Sequence, residues 1–291
     1  MCLLFTAYSL QLTAYGLLLT SLSPFTYLPP ITNHQSPITS SLAGRILYEN
    51  AAFLVVDKPA HLLIHPKKPD GTVTLWYQLT QLLAFEIANG GQVSVITRLD
   101  RETSGLVLVA KTHRTARELH TLAEKGSLTK RYLAIVWGWP DNTKFEVNQP
   151  LLRQGTVASS KIWLKQAVHP SGYPSVTRFR VINRFENCQG KFALLECEPL
   201  TGRTHQIRVH LAFSGYPIVG DKIYGPDENC YLEFIETGWT PTLAEKLLLD
   251  HHALHAASLA FTLGSEQFKF DSPLPDDVRA FMLQSAAAKK A

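Results

Sequence analysis

The chain has 291 residues, 45% of them apolar and 18% charged, and its 28 basic and 24 acidic side chains leave a net charge of +4. These proportions belong to an ordinary globular protein long enough to bury a full core, and they exclude collagen-like, disordered and disulfide-stapled chains. The four cysteines (Cys2, Cys188, Cys197, Cys230) have neither metal-ligand spacing nor framework density and read as reduced thiols of a cytoplasmic protein.

No Lys, Arg, Asp or Glu precedes Arg45. The opening stretch is apolar but studded with Ser, Thr, Gln and Tyr. It lacks the positive start of a secretory signal and the run of about twenty clean apolar residues that a membrane helix needs. Residues 1–44 are therefore expected to form a poorly ordered extension, translated upstream of the functional start, with 45–291 as one domain.

From there ILYENAAFLVVDKP (46–59) predicts two short strands around a Glu49-Asn50 turn. TLWYQLTQLLAFEIANGG places Leu75, Leu79, Leu82 and either Phe85 or Glu86 at helical spacing and stops at Asn89-Gly90-Gly91. LVLVAK (106–111) reads as a buried strand. HRTARELHTLAEKG reads as an amphipathic helix with Ala116, Leu119, Leu122 and Ala123 inward and Gly126 as its stop. KRYLAIVWG is another strand. The alternation from Ser175 to Phe185 puts Phe179, Val181 and Phe185 on one face, and KFALLECEPL follows as a further strand. THQIRVHLAFSG predicts a short helix capped by Thr204 and closed by Gly215. HAASLAFTL and EQFKFDSP give a late pair of strands, and PLPDD leads into a terminal helix. Strands outnumber helices without βαβ alternation. The expected fold is one α+β domain on a mixed, largely antiparallel sheet with flanking helices and a central cleft.

Charge is unevenly spread. Arg98 to Arg131 holds eight basic and four acidic residues, whereas 226–250 holds six acids and one lysine. This suggests a polyanion-facing side and an acidic lobe turned away from it. In TRLDRETSGLVLVAKT (97–112) one carboxylate, Asp100, lies between Arg98 and Arg101 at the mouth of the buried strand, followed by Thr103 and Ser104. Nearby positive charge favours the ionised form, and an oriented carboxylate suits a nucleophile or general base. An isolated RxDR is more often a structural ion pair. The second cluster, Arg203, His205, Gln206, Arg208 and His210, sits in LLECEPLTGRTHQIRVHLAFSGYPIVGDKIYG (194–225), where two arginines at a helix start can clamp an anion.

These segments, with ILYEN, FLVVDKPA, TKRYLAIVWG, HALHAASLAFTL and FDSPLPDD, resemble in order the RluA-type pseudouridine synthases over roughly residues 45–280. The amino-terminal S4 RNA-binding module of some relatives has no counterpart. The resemblance implies isomerisation of uridine to pseudouridine in ribosomal or transfer RNA. It implies Asp100 as the catalytic carboxylate, Tyr132 as the tyrosine that stacks on the uracil, and Arg208 as partner of the aspartate, with Arg203 the second choice. Leu194 or Leu195 would lie beneath the base, and Arg98 would enter the RNA stack. Arg101, Thr103, Lys130, Arg131, Arg203 and His205 complete the expected RNA contacts. Thr97 stands where the family usually has His, and His61 where it usually has Gly. The reaction has no net redox change, so neither cofactor nor metal is expected, and the partner is RNA, met by a monomer without a membrane.

Alternatives are weaker. His251, His252 and His255 could bind zinc if 251 and 255 shared a helix face, but no Glu follows in metalloprotease spacing. Ser104 and Ser214 lack the glycine of a nucleophile elbow. The runner-up is a catalytically silent RNA-binding protein of the same fold.

Overall fold

The computed structural model describes residues 42–66 and 72–284; the expected extension falls mostly on residues 1–41, outside them. A 3-10 turn at Leu42–Arg45 leads into the hairpin of β1 (Ile46–Glu49) and β2 (Phe53–Lys58). Asn50 makes that turn, its Oδ1 accepting the N–H groups of Ala52 and Phe53 at 2.8 Å each. Helices α1 (Leu75–Leu82) and α2 (Ala84–Ala88) follow, then β3 (Ser94–Val95), β4 (Ser104–Ala110), α3 (His113–Glu124) and β5 (Thr129–Trp137). The middle of the chain gives β6 (Lys144–Asn148), β7 (Leu151–Arg153), β8 (Gln166–Val168), β9 (Val176–Asn187), β10 (Gly190–Pro199) and α4 (Gln206–Phe213). The rest comprises α5 (Asn229–Thr237), α6 (Pro241–Leu247), β11 (Leu254–Leu263), β12 (Glu266–Asp271) and α7 (Asp276–Leu283).

The fold is α+β, as expected. One large sheet runs β1-β2-β4-β11-β5-β10-β9-β6, with β3 beside β4 and β12 beside β11; β7 and β8 form a separate pair. Every named pairing is antiparallel except β4 with β11. All seven residues of β4 are buried, because both faces of the sheet are covered there, and a strand covered on both sides reads as an unbroken apolar run. On one face Phe53, Leu106 and Leu108 pack with Leu119 of α3. On the other, Leu54, Val107 and Val109 pack with Leu75, Leu79 and Leu83. A third cluster joins Ile135, Phe192 and Leu195 to Leu211 of α4 and Phe281 of α7. Each fully buried side chain of this size contributes roughly 1.5–3 kcal/mol.

Two expectations are corrected. The predicted helix over 74–91 breaks at Leu83, which leaves helical geometry at φ −98°, ψ 24°. The buried stripe is accordingly Leu75, Leu79, Leu83, while Leu82 and Phe85 are exposed. Helix α4 begins at Gln206; its N-cap is His205, in a left-handed conformation, and not Thr204. Among the described residues no helix is long and apolar enough to cross a membrane.

Candidate active site

Asp100 lies in the loop between β3 and β4, and several bonds fix that loop. Thr97 Oγ1 accepts the Leu108 N–H at 2.8 Å, tying the loop's start to β4; this is the work done by the threonine at the position where a histidine was expected. Thr103 donates its N–H to the Asp100 carbonyl at 3.2 Å, closing a turn, and its hydroxyl bonds His252 Nε2 at 2.7 Å. Lys58 is fully buried. Its Nζ donates to the carbonyls of Pro59, Leu62 and Arg101, so it clamps the loop from below. Burial pushes the Lys58 ammonium down to about 7, against the raising pull of Asp100 and Asp57.

At the loop's far end Gly105 takes φ +105°, and a Cβ there would stand 2.4 Å from the Ala256 carbonyl oxygen. Only glycine permits so close an approach of β4 to β11. Ala256 pairs with Gly105 on one side and with Tyr132 of β5 on the other. Tyr132 is therefore one strand away from the Asp100 loop, and both residues line one cleft of about 1190 Å³. That volume exceeds the range of small-molecule pockets. Burial and the negative charge of Asp100 raise the Tyr132 hydroxyl's pKa, so it stays protonated at neutral pH.

The charge partner of Asp100 comes from α4. Arg208 Nη1 donates to Asp100 Oδ2 at 2.8 Å, and its Nε and Nη2 grip Asp221 at 2.7 and 2.8 Å. Asp221 is fully buried and also accepts the N–H groups of Ile223 and Tyr224. A guanidinium held this way by a buried carboxylate is a rigid donor to the second one. The Asp100 side chain retains 31% exposure toward the cleft. Burial alone would raise its pKa; His205, Arg208 and His252 around it outweigh that and hold it below the usual carboxylate range. His252, buried beside Arg208, is pushed well below the ordinary histidine range. Between His252 and Arg208, the permanent charge is therefore that of Arg208.

The expected arginine pair is thus corrected in part. Arg98 and Arg101 line the cleft but neither is a bonded partner of Asp100; Arg101 Nε reaches the His61 carbonyl instead, at 3.4 Å. Thr103, Lys130, Arg203 and His205 also line the cleft. Arg131 does not, because alternation along β5 turns Lys130 and Tyr132 one way and Arg131 the other. Leu194 and Leu195 do not either. The register sets them opposite Ile135 and Ala134, inside the β5–β10 core, and Ile207 and Leu254 supply the aliphatic lining.

The acidic stretch 226–250 was expected to face away. Its helix α5 instead presents Tyr231, Phe234 and Ile235 to the cleft. Lys222, buried, donates to Glu102 Oε1 and to the Asp250 carbonyl and lies over the Phe234 ring. The insertion is thereby latched to the Asp100 loop. His61 adds a second contact, 3.4 Å from Asp250, and carries φ 66° where the resembled family has glycine. The zinc alternative fails on geometry: His255 is on a strand, and His251, His252 and His255 bond Asp277, Thr103 and Ser104 respectively.

Sequence reading missed Asp221, Lys58 and Lys222, and named His252 only as a zinc candidate. Asp221 and Lys222 stand in the quoted segment that ends at Gly225; a buried charge in an apolar run was the available signal.

The family model for RNA pseudouridylate synthases matches residues 52–213. The chain belongs to the RNA pseudouridylate synthase family. This synthase is 35% identical over 242 residues to the ribosomal large subunit pseudouridine synthase D of Vibrio parahaemolyticus, covering 81% of this chain and 68% of that one. It is 34% identical to an uncharacterized RNA pseudouridine synthase of Helicobacter pylori, covering 82% and 76%. Among solved structures, human RNA pseudouridylate synthase domain containing 4 superposes with a TM-score of 0.63 at 23% identity, covering 82% of the synthase and 91% of that chain. At that identity the superposition speaks for the fold.

Proposed function

We propose that this synthase isomerises uridine to pseudouridine in structured RNA, ribosomal or transfer, as a cytoplasmic monomer with Asp100 as the reacting carboxylate and no cofactor. The relatives' names favour ribosomal RNA. The observation that carries the reading is the Asp100–Arg208 bond of 2.8 Å in a cleft that also holds Tyr132.

The chemistry asks for little else. The N1–C1′ bond breaks, the uracil turns, and C5 bonds C1′; N1 gains the proton that C5 loses. Electrons balance within the nucleotide, so no external oxidant, reductant or group donor enters. An ionised carboxylate can add to C1′, add to the base, or remove the C2′ proton to give a glycal, and each role needs Asp100 charged at neutral pH. Arg208 supplies that. The uridine must first leave its stack, which costs a few kcal/mol. In this reading Tyr132 stacks on the extruded base, Arg98 fills the space it leaves, and Arg101, Lys130 and Arg203 meet flanking phosphates.

The test is tritium release from uracil-C5-labelled total RNA, ribosomal and transfer, of cells lacking the gene. The wild-type chain is expected to release label and Asp100→Asn to release none. Release by Asp100→Asn, or none from the wild type, would overturn the reading; the second outcome is that of a silent RNA binder.

A further inference from the structure

Helix α4 has an unusual start. His205 sits at φ 56°, ψ 16°, and its side chain makes no capping bond. A non-glycine residue seldom adopts that conformation, and it persists where surrounding contacts over-determine it. The contacts here converge on the imidazole. His205 Nδ1 is 2.7 Å from the Tyr224 hydroxyl, and Nε2 is 3.8 Å from Asp100 Oδ2. Tyr224 is itself fixed: its oxygen accepts the Gln166 N–H at 2.8 Å, and the Arg208 guanidinium lies over its ring at 5.0 Å.

For the neutral imidazole, in which His205 lends Asp100 an N–H and no charge, counting donors decides the tautomer. A phenol oxygen has one proton and two lone pairs, and Gln166 uses one lone pair. If His205 carried its proton on Nδ1, a bare Nε2 lone pair would face the Asp100 carboxylate, which is repulsive. If Tyr224 donates to Nδ1, the proton sits on Nε2 and is directed at Oδ2. Of the two neutral forms, only the second points a proton at Oδ2. Both Arg208 Nη1 and His205 Nε2 then address the same oxygen, Oδ2. The Arg208 bond to Asp100 is made at Oδ2 and not at Oδ1.

We propose that Tyr224 and His205 are positioning residues which, with Arg208, engage Oδ2 of Asp100 from two sides and so leave Oδ1 as the oxygen that reacts with the flipped uridine. The inference rests on the reading of Asp100 as the reacting group. It gives His205 a task distinct from RNA contact. The 3.8 Å approach shortens to a hydrogen bond in the loaded complex, as catalytic contacts commonly do.

A double-mutant cycle tests it, with label release from C5-tritiated ribosomal RNA of cells lacking the gene. Tyr224→Phe keeps the ring and removes the proton that sets the tautomer. His205→Gln keeps an N–H near the Nε2 position and has no Nδ1 to be set. In the wild-type background Tyr224→Phe is expected to lower kcat about tenfold with KM unchanged, the scale of one hydrogen bond expressed in the transition state. In the His205→Gln background the same change is expected to do nothing further. An equal loss in both backgrounds, a loss in KM alone, or no loss at all would overturn the proposal. Nitrogen chemical shifts of His205 in the intact enzyme read the tautomer without any variant: a protonated Nδ1 would also overturn it. Asp100→Asn is assayed alongside. Release by that variant would sink the function reading itself, whereas its silence with an additive cycle would sink only the pair.

Discussion

Replacing Asp221 by Asn removes one charge and keeps the shape. Asn Oδ1 can still accept the Ile223 and Tyr224 N–H groups that Asp221 binds at 3.0 Å each. What is lost is the bidentate grip on Arg208, and the incoming amide sets its own N–H against a guanidinium donor. Asp221 is fully buried and Arg208 nearly so. Breaking a buried pair by removing one partner costs roughly 3–5 kcal/mol. For a domain of this size each kcal/mol corresponds to about 2–4 °C, so the expected fall in melting temperature at pH 7 is about 6–20 °C. The pH dependence identifies the cause. Arg208 holds the Asp221 carboxyl far below the usual range against the opposing effect of burial. A depressed carboxylate stabilises fully above its unfolded pKa of about 4 and loses that contribution as pH falls toward the folded value. Melting curves from pH 7 down to about pH 3 should therefore show the gap between wild type and variant narrowing below about pH 4. A variant within about 2 °C of wild type at pH 7, or a gap that stays constant into acid, would refute the argument that this ion pair sustains the site.

Three further changes probe other parts of the site. Lys222→Met removes the ammonium that bonds Glu102 at 2.7 Å and should cost about 1–3 kcal/mol in urea unfolding; an unchanged midpoint would show that the latch between insertion and loop contributes nothing. Gly105→Ala puts a methyl 2.4 Å from the Ala256 carbonyl at φ +105°. It should destabilise by more than about 3 kcal/mol, and a loss under about 1 would refute the close approach. Lys130→Ala, in the cleft, should reduce the slope of log affinity against log salt by about 0.7–0.9 without altering sequence preference; an unchanged slope would remove Lys130 from the phosphate contacts.

The fold was legible wherever one residue period persisted. The Asn50 hairpin, α3 with its inward Ala116 and Leu119, and the unbroken run of β4 all match their patterns. Where a local break intervenes, period fails: Leu83 leaves helical geometry, and Leu82 and Phe85 turn out to solvent. The Thr204 cap failed because His205 takes a left-handed conformation that propensity does not foresee. For the site, Asp100, Tyr132 and Arg208 were legible through resemblance, which carries information about pairs 108 residues apart. Charge adjacency alone misled. Arg98 and Arg101 are neighbours of Asp100 in sequence, yet its bonded partner comes from a distant helix. Asp221 left a trace in the pattern, a charge in an apolar run, but pattern does not name the arginine that a buried carboxylate meets.

The single parallel junction, β4 to β11, is registered by two residue pairs, Ser104 with His255 and Gly105 with Ala256. On one side stand β1, β2 and β4, with Asp100 in the loop that feeds β4; on the other stand β5, β10 and β9, against which α4 holds Arg208. The carboxylate and its guanidinium thus belong to opposite halves of the sheet. Shear between the halves would strain that bond together with the Lys222–Glu102 and Thr103–His252 contacts, so the carboxylate proposed to react also reports whether the two halves are in register.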